Sequence, residues 1–308
     1  MNAPALPTKQ QVRRSFGTAA DTYDENAFLQ REIANRLFER LDYIKLNPER
    51  TLDLGSGTGY ATRKLRERYP DSKIVSLDLA PPMLQFARNA LAHTLLQTPA
   101  LARFFKAFSR KITPQYVCAD AESLPLAGDS IDLVLSSLAL QWCDPERVAK
   151  EVARILKPNG LFMFTTFGPD TLKELRQSFR SVDDKPHVND FVDMHDIGDI
   201  LVQAGFADPV MDQETITLTY TDLKTMLREL KGIGAHNILP GRKPGLMGKK
   251  SWQTLQTAYE KFRTHDRLPA TYEVVYGHAW KPAFSKRKTI DGEQTIELAE
   301  FKRMVRKN

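Results

Sequence analysis

The segment Asp53-Leu54-Gly55-Ser56-Gly57-Thr58-Gly59 joins a carboxylate to three glycines at alternating positions. A glycine-rich turn after a hydrophobic start lets a nucleotide-like ligand lie directly against the backbone, because no Cβ blocks its approach. The spacing excludes two ligand classes. The dinucleotide fingerprint needs a glycine at the third position after its first pair, and here Tyr60 or Thr62 stands there. The loop also lacks the Lys-Ser/Thr ending that cradles a polyphosphate.

The flanks give the turn its context. A helical stretch, Tyr60 to Tyr69, leads to a second buried strand, Lys73 to Asp78. Asp78 lies about 20 residues past the turn, where a carboxylate can accept both ribose hydroxyls. A third strand, Gln115 to Cys118, runs into Asp120-Ala121-Glu122. A fourth, Ile131 to Ser136, precedes Leu138 and Gln141-Trp142. A fifth, Leu161 to Thr165, follows the turn Lys157-Pro158-Asn159-Gly160. Strands alternating with helices predict an α/β fold with a mostly parallel, doubly wound sheet that binds ligands at its strand C-terminal ends. All the acids named fall at such ends. In this setting the glycine pattern is similar to motif I of class I methyltransferases, a Rossmann-like family. That resemblance implies S-adenosylmethionine as cofactor, with Asp53, Gly55, Gly57, Gly59, Asp78, Leu79, Met83, Asp120, Ala121 and Leu138 as its expected contacts.

With 308 residues the chain holds one such core plus elaborations. No apolar run approaches a membrane span and Met1 to Gln10 lacks a signal-peptide core, so a cytoplasmic, membrane-free protein is expected. The two cysteines, Cys118 and Cys143, read as reduced packing residues, and the six histidines share no ligand spacing; no metal is expected. Residues 1–46 read as an N-terminal helical arm, with Phe28, Ile33, Leu37 and Leu41 at roughly helical spacing. Phe16 and Tyr23 on that arm either wall a reaction site or pack on the core.

Residues 47–280 read as the catalytic domain with two insertions. The first, 91–114, is basic: from Leu79 to Ala119 there is no acid, while Arg88, Arg103, Lys106, Arg110 and Lys111 alternate with Phe104, Phe105 and Phe108. The second, 221–268, is a helical lid between two segments, Val210 to Tyr220 and Tyr272 to Trp280, that alternate like antiparallel edge strands. Helices are also expected at Thr171 to Ser181, capped by Asp170, and at Asp193 to Ala204. The charged tail, 281–308, is expected to be poorly ordered or weakly helical. A second cationic cluster, Arg242, Lys243, Lys249 and Lys250, and the net charge of +6 suit an acidic partner. No RNA-binding signature accompanies that charge, so nucleic acid is not expected.

Narrower matches follow. Phe16 to Tyr23, Leu79 to Leu84, Ala121 to Leu126, Leu138 to Cys143 and Leu230 to Ala235 together resemble the malonyl-acyl-carrier-protein O-methyltransferases of biotin synthesis. The resemblance implies methyl transfer to the free carboxylate of a malonyl thioester on acyl carrier protein or coenzyme A, by a chain expected to be monomeric. A malonyl carboxyl is ionised at neutral pH, so it is the nucleophile without a general base. The reaction then needs alignment, exclusion of water and a clamp on the carboxylate. Arg242 is the first candidate clamp, followed by Lys231 and His236; Tyr23, Gln141 and Trp142 are candidate walls. Two other functions fit the same motifs: a methyltransferase acting on a quinone precursor or another small acid, and a non-catalytic cofactor-binding assembly factor.

Overall fold

The computed structural model describes residues 6–96, 113–242, 245, 247–283, 289–290 and 293–294. The core opens with β1 (Arg50–Leu54), α4 (Tyr60–Arg68), β2 (Lys73–Asp78), α5 (Pro81–Leu96), β3 (Gln115–Cys118), β4 (Ile131–Ser137), α6 (Pro145–Ile155) and β5 (Leu156–Phe167), alternating except where β3 leads to β4 without a helix. The chain continues through α7 (Lys173–Phe179), α8 (Met194–Gln203), β6 (Ala207–Tyr220), α9 (Leu223–Gly232), α10 (Lys249–Glu260) and β7 (Leu268–Trp280). The sheet order is β3-β2-β1-β4-β5-β7-β6. The first five strands run parallel, and β7 is antiparallel to both β5 and β6. This is the expected doubly wound, mostly parallel sheet.

Burial explains the register. Leu133, Leu135, Leu161 and Met163 point to one face, where they meet Ile33, Leu37 and Leu41 of the arm and Met226, Leu255 and Tyr259 of the lid. Leu52, Leu54, Val134 and Phe162 are buried on the second core, with Val152 of α6 and Leu201 of α8. A sheet covered on both faces needs near-continuous apolar strands, as β4 has.

Several details differ from the sequence reading. β6 alternates exposed and half-buried residues, with one break at Asp212–Gln213, and forms the edge, but β7 is buried along nearly its whole length because it lies between β5 and β6. The helix expected to be capped by Asp170 begins at Lys173; Leu172 precedes it in a left-handed conformation and Asp170 pairs with Lys173 at 2.8 Å. The arm is three helices, α1 (Lys9–Ala19), α2 (Tyr23–Asn26) and α3 (Phe28–Leu41). A capping box between Thr8 and Gln11 starts α1. Phe28 does not join the buried stripe of α3; it is 65% exposed, and Leu29 takes the inward position. In the tail, Thr289–Ile290 pairs antiparallel with Glu293–Gln294; the rest of 284–308 lies outside the described residues. Arg103, Lys106, Arg110 and Lys111 of the basic insertion, and Lys243, lie outside the described residues.

Candidate active site

The glycine turn closes by two backbone bonds: the N–H groups of Gly55 and Ser56 both donate to the Leu77 carbonyl, at 2.8 and 2.9 Å. All three glycines have positive φ, but their reasons differ. A Cβ on Gly55 would stand 2.2 Å from that of Ala139, and one on Gly59 would stand 2.8 Å from that of Ala87. A Cβ on Gly57 would meet no atom within 4 Å. Gly57 alone faces open space, and that space is a cleft of about 700 Å³ lined by Gly55, Gly57, Asp78, Leu79, Met83, Asp120, Ala121, Leu138 and Trp142, among others.

Asp78 is fixed at the cleft by two backbone amides. One carboxylate oxygen accepts from Gly57 N at 2.9 Å and the other from Ala80 N at 2.8 Å. Desolvation nevertheless raises its pKa against these bonds. Each oxygen has a lone pair left for a hydroxyl donor. Asp53 and Gly59 stand behind the turn and do not line the cleft. Asp53 is buried and accepts from Thr62 Oγ1; burial pushes its pKa up to about 7. Gly59 starts α4 from a left-handed conformation. Leu138 also carries a positive φ of 52°, imposed by two bonds from its N–H to Thr165, to Oγ1 and to the carbonyl, each at 3.1 Å. A non-glycine residue held there places its side chain in the cleft at a cost the surrounding β4–β5 pairing must offset.

The arm forms the other wall. Val12, Phe16 and Tyr23 line the cleft, and Phe16 meets Trp142 edge to face with ring centroids 5.2 Å apart. Lys9 on α1 reaches across to the β3 loop, with Nζ at 2.5 Å from Glu122 and 3.4 Å from Asp120. Thr58 of the turn donates to Asp24 at 2.6 Å. The arm is also tied to the lid: Ser15 Oγ donates to the Gly234 carbonyl at 2.7 Å and Thr22 Oγ1 to that of Gly232 at 3.0 Å. No local sequence pattern marks Lys9, Asp24 or these ties, whose partners lie far along the chain. Burial, with Asp78 and Asp24 nearby, pushes the Tyr23 phenol far up, so Tyr23 is a neutral donor and not a base. Burial likewise pushes the Cys143 thiol up to about 12, which makes it an unreactive packing group.

Trp142 separates the cleft from a second cavity of about 1050 Å³ under the lid. Gln141, Trp142, Lys231 and His236 line this cavity, together with Phe167, Leu175, Phe179, Phe191 and Leu230. The Gln141 amide is spent on the wall itself, donating to the Leu138 carbonyl at 2.7 Å and accepting from Thr166 Oγ1 at 3.4 Å. His236 sits 3.1 Å from Ser15 Oγ, and partial desolvation, with Arg242 and Lys231 nearby, lowers its pKa. It is therefore neutral at pH 7. Arg242 is exposed and lines neither cavity. Among the described residues no helix is long and apolar enough to cross a membrane.

A family model described as a methyltransferase domain matches residues 52–164. The chain is 54% identical over 292 residues to a protein named malonyl acyl-carrier-protein O-methyltransferase from Laribacter hongkongensis, covering 94% of this chain and 95% of the relative. It is 45% identical to a protein of that name from Halorhodospira halophila, with 96% of each chain covered. Among solved structures, the YcgJ protein from Bacillus subtilis superposes with a TM-score of 0.54 at 15% identity, over 80% of this chain and 97% of that one. A phosphoethanolamine N-methyltransferase from Haemonchus contortus, solved with S-adenosylmethionine, gives 0.50 at 16% identity, over 86% and 57% of the chains. At such identities the structural likenesses establish the fold alone.

Proposed function

The chain belongs to the malonyl acyl-carrier-protein O-methyltransferase family, and from that premise we propose that it methylates the free carboxylate of a malonyl thioester. The product is the methyl ester that enters biotin synthesis. The observation that carries this reading is the meeting of two cavities at Trp142, one built on the glycine turn and one apolar with Lys231 and His236 on its wall.

The residues of the first cavity fit S-adenosylmethionine. Open space over Gly57 admits a ligand against the backbone, Asp78 offers acceptors for ribose hydroxyls, and Leu79, Met83 and Leu138 give apolar walls. When bound, S-adenosylmethionine supplies an electrophilic methyl on a sulfonium sulfur. The chain's own contribution is position and dryness. Trp142 stands between the cavities, with Phe16 packed against its ring and Tyr23 on the cleft side. Substrate reaches it as a carboxylate and needs no base, which agrees with a neutral Tyr23 and a neutral His236. The carboxylate oxygen that does not react requires a donor in a water-poor cavity. Lys231 is the cation on the cavity wall and His236 a neutral donor beside it; Arg242 adds charge from outside the rim.

Incubation with labelled S-adenosylmethionine and malonyl acyl carrier protein, followed by mass spectrometry, should reveal a methyl ester on the malonyl group. Unmodified malonyl carrier protein, with methyl transfer to another acid in the same assay, would sink the reading.

A further inference from the structure

A third cavity, of about 940 Å³, opens beside the arm, between α2–α3 and the edge strand β6. It shares four residues with the cavity under the lid: Gln30, Leu230, Ile233 and Tyr272. The three cavities therefore lie in series. Trp142 divides the first pair and these four residues divide the second. Phe28, 65% exposed, lines the outermost one, so the series ends at the surface beside an aromatic ring.

The dividing wall holds an unpaid polar group. Gln30 Oε1 is buried and has no hydrogen-bond partner. Among the described residues only Arg66 Nε and Arg176 Nε share that condition, and neither lines any of the three cavities. A buried acceptor left unmade costs folding free energy, so its persistence calls for a partner that arrives later. Two other amides on the inner cavity wall have both ends engaged: Gln141, as described above, and Asn237, which donates to the Pro186 carbonyl and accepts from Leu239 N. Gln30 Oε1 is left open, on the wall that the two cavities share.

We propose that Gln30 is a positioning residue that hydrogen-bonds an amide of the thioester's carrier arm, and that this arm enters through the outer cavity past Phe28. The inference rests on the malonyl-thioester reading. A biological acyl thioester hangs from a long arm whose polar groups are secondary amides, each with one N–H and one C=O. Such a group answers the Gln30 side chain in either orientation of its amide, which matters because oxygen and nitrogen there are assigned from the hydrogen-bond network. The geometry also separates roles. Carboxylate and methyl meet near Trp142, while the arm is gripped one cavity further out. A short thioester that ends before the wall makes no use of Gln30.

The test compares wild type with Gln30→Met, a near-isosteric change that removes the amide, on two substrates. One is malonyl-S-pantetheine, which carries the amides; the other is the malonyl thioester of a simple alkyl thiol. Gln30→Met should lower kcat/KM for the pantetheine thioester roughly tenfold, chiefly through KM, as expected for one neutral hydrogen bond. Turnover of the alkyl thioester and affinity for S-adenosylmethionine should stay as in wild type. Because the carbonyl is unsatisfied in the folded chain, Tm should hold or rise; a merely structural Gln30 would lower it. Equal loss on both thioesters, or none on either, overturns the inference. Failure of wild type to methylate either thioester would instead overturn the reading on which it rests.

Discussion

At the scale of single residues, the glycine turn separates two kinds of necessity. Gly55 is required by the protein, since its Cβ would collide with Ala139, whereas Gly57 is required by whatever occupies the cleft. Gly55→Ala should therefore lower Tm sharply. Gly57→Ala should lower it only by the backbone cost of a positive φ, about 1–2 kcal/mol, while S-adenosylmethionine affinity falls at least roughly tenfold, since even a methyl group here occupies ligand volume. Calorimetry and thermal melts on both variants distinguish them, and intact affinity in Gly57→Ala would remove that residue from the site. Asp53 supplies a pH prediction. Its folded pKa, about 7, lies above the ordinary carboxylate value near 4. The stability it contributes is thus present below about pH 4 and lost as pH rises through 7. The unfolding free energy of Asp53→Asn, relative to wild type, should climb between about pH 4 and about pH 7, with a slope approaching about 1.4 kcal/mol per pH unit at most, and level off above. A flat difference would show that Asp53 ionises freely. The sequence disclosed the glycines and acids because their partners lie close along the chain: Gly57 meets Asp78 across one strand-helix-strand unit. It could not divide Gly55 from Gly57, because Ala139 arrives from β4.

At the scale of elements, the arm is the part least legible in advance. Its helices announce themselves by spacing, but the contact of Lys9 with the Trp142 carbonyl spans 133 positions, and no local pattern encodes such a meeting. The strand β7 shows the same limit: its residues suit either an edge or an interior strand until its neighbours are known. Lys9 holds α1 over the cleft through Glu122 and Asp120 at part-exposed sites, so Lys9→Met should raise the cofactor dissociation rate by roughly five- to tenfold without changing Tm much. Stopped-flow release of a fluorescent cofactor analogue measures this; an unchanged rate would mean the arm is held by its apolar face alone. The lid makes a complementary prediction. Lys231→Ala should reduce kcat/KM for malonyl thioesters by roughly ten- to a hundredfold with cofactor affinity intact. Arg242→Ala should cost less, and its effect should fade in salt, because its charge acts through solvent. Steady-state kinetics at two ionic strengths checks the order, and a larger loss at Arg242 would reverse the assignment.

At the scale of the whole molecule, the excess of 44 basic over 38 acidic residues acts on encounter and not on chemistry. If an acidic carrier protein delivers the substrate, kcat/KM for malonyl carrier protein should fall as added salt shortens the Debye length from ~10 to ~3 Å. The value for malonyl-S-pantetheine, lacking the protein, should change much less. Parallel salt curves for both substrates would assign the charge to solubility. The antiparallel pairing of β6 with β7 has one more consequence. Tyr220 and Leu268 sit opposite one another in register, so the intervening lid leaves and rejoins the sheet at a single point. Chain inserted there adds little closure entropy, because strand pairing already holds its ends together. Heritable variation can therefore rewrite this segment while the β1–α4 turn that lines the cleft stays untouched, provided the inward face of Leu223, Met226, Leu255 and Tyr259 is kept. New substrate tastes, on this architecture, arise by editing one loop of one hairpin.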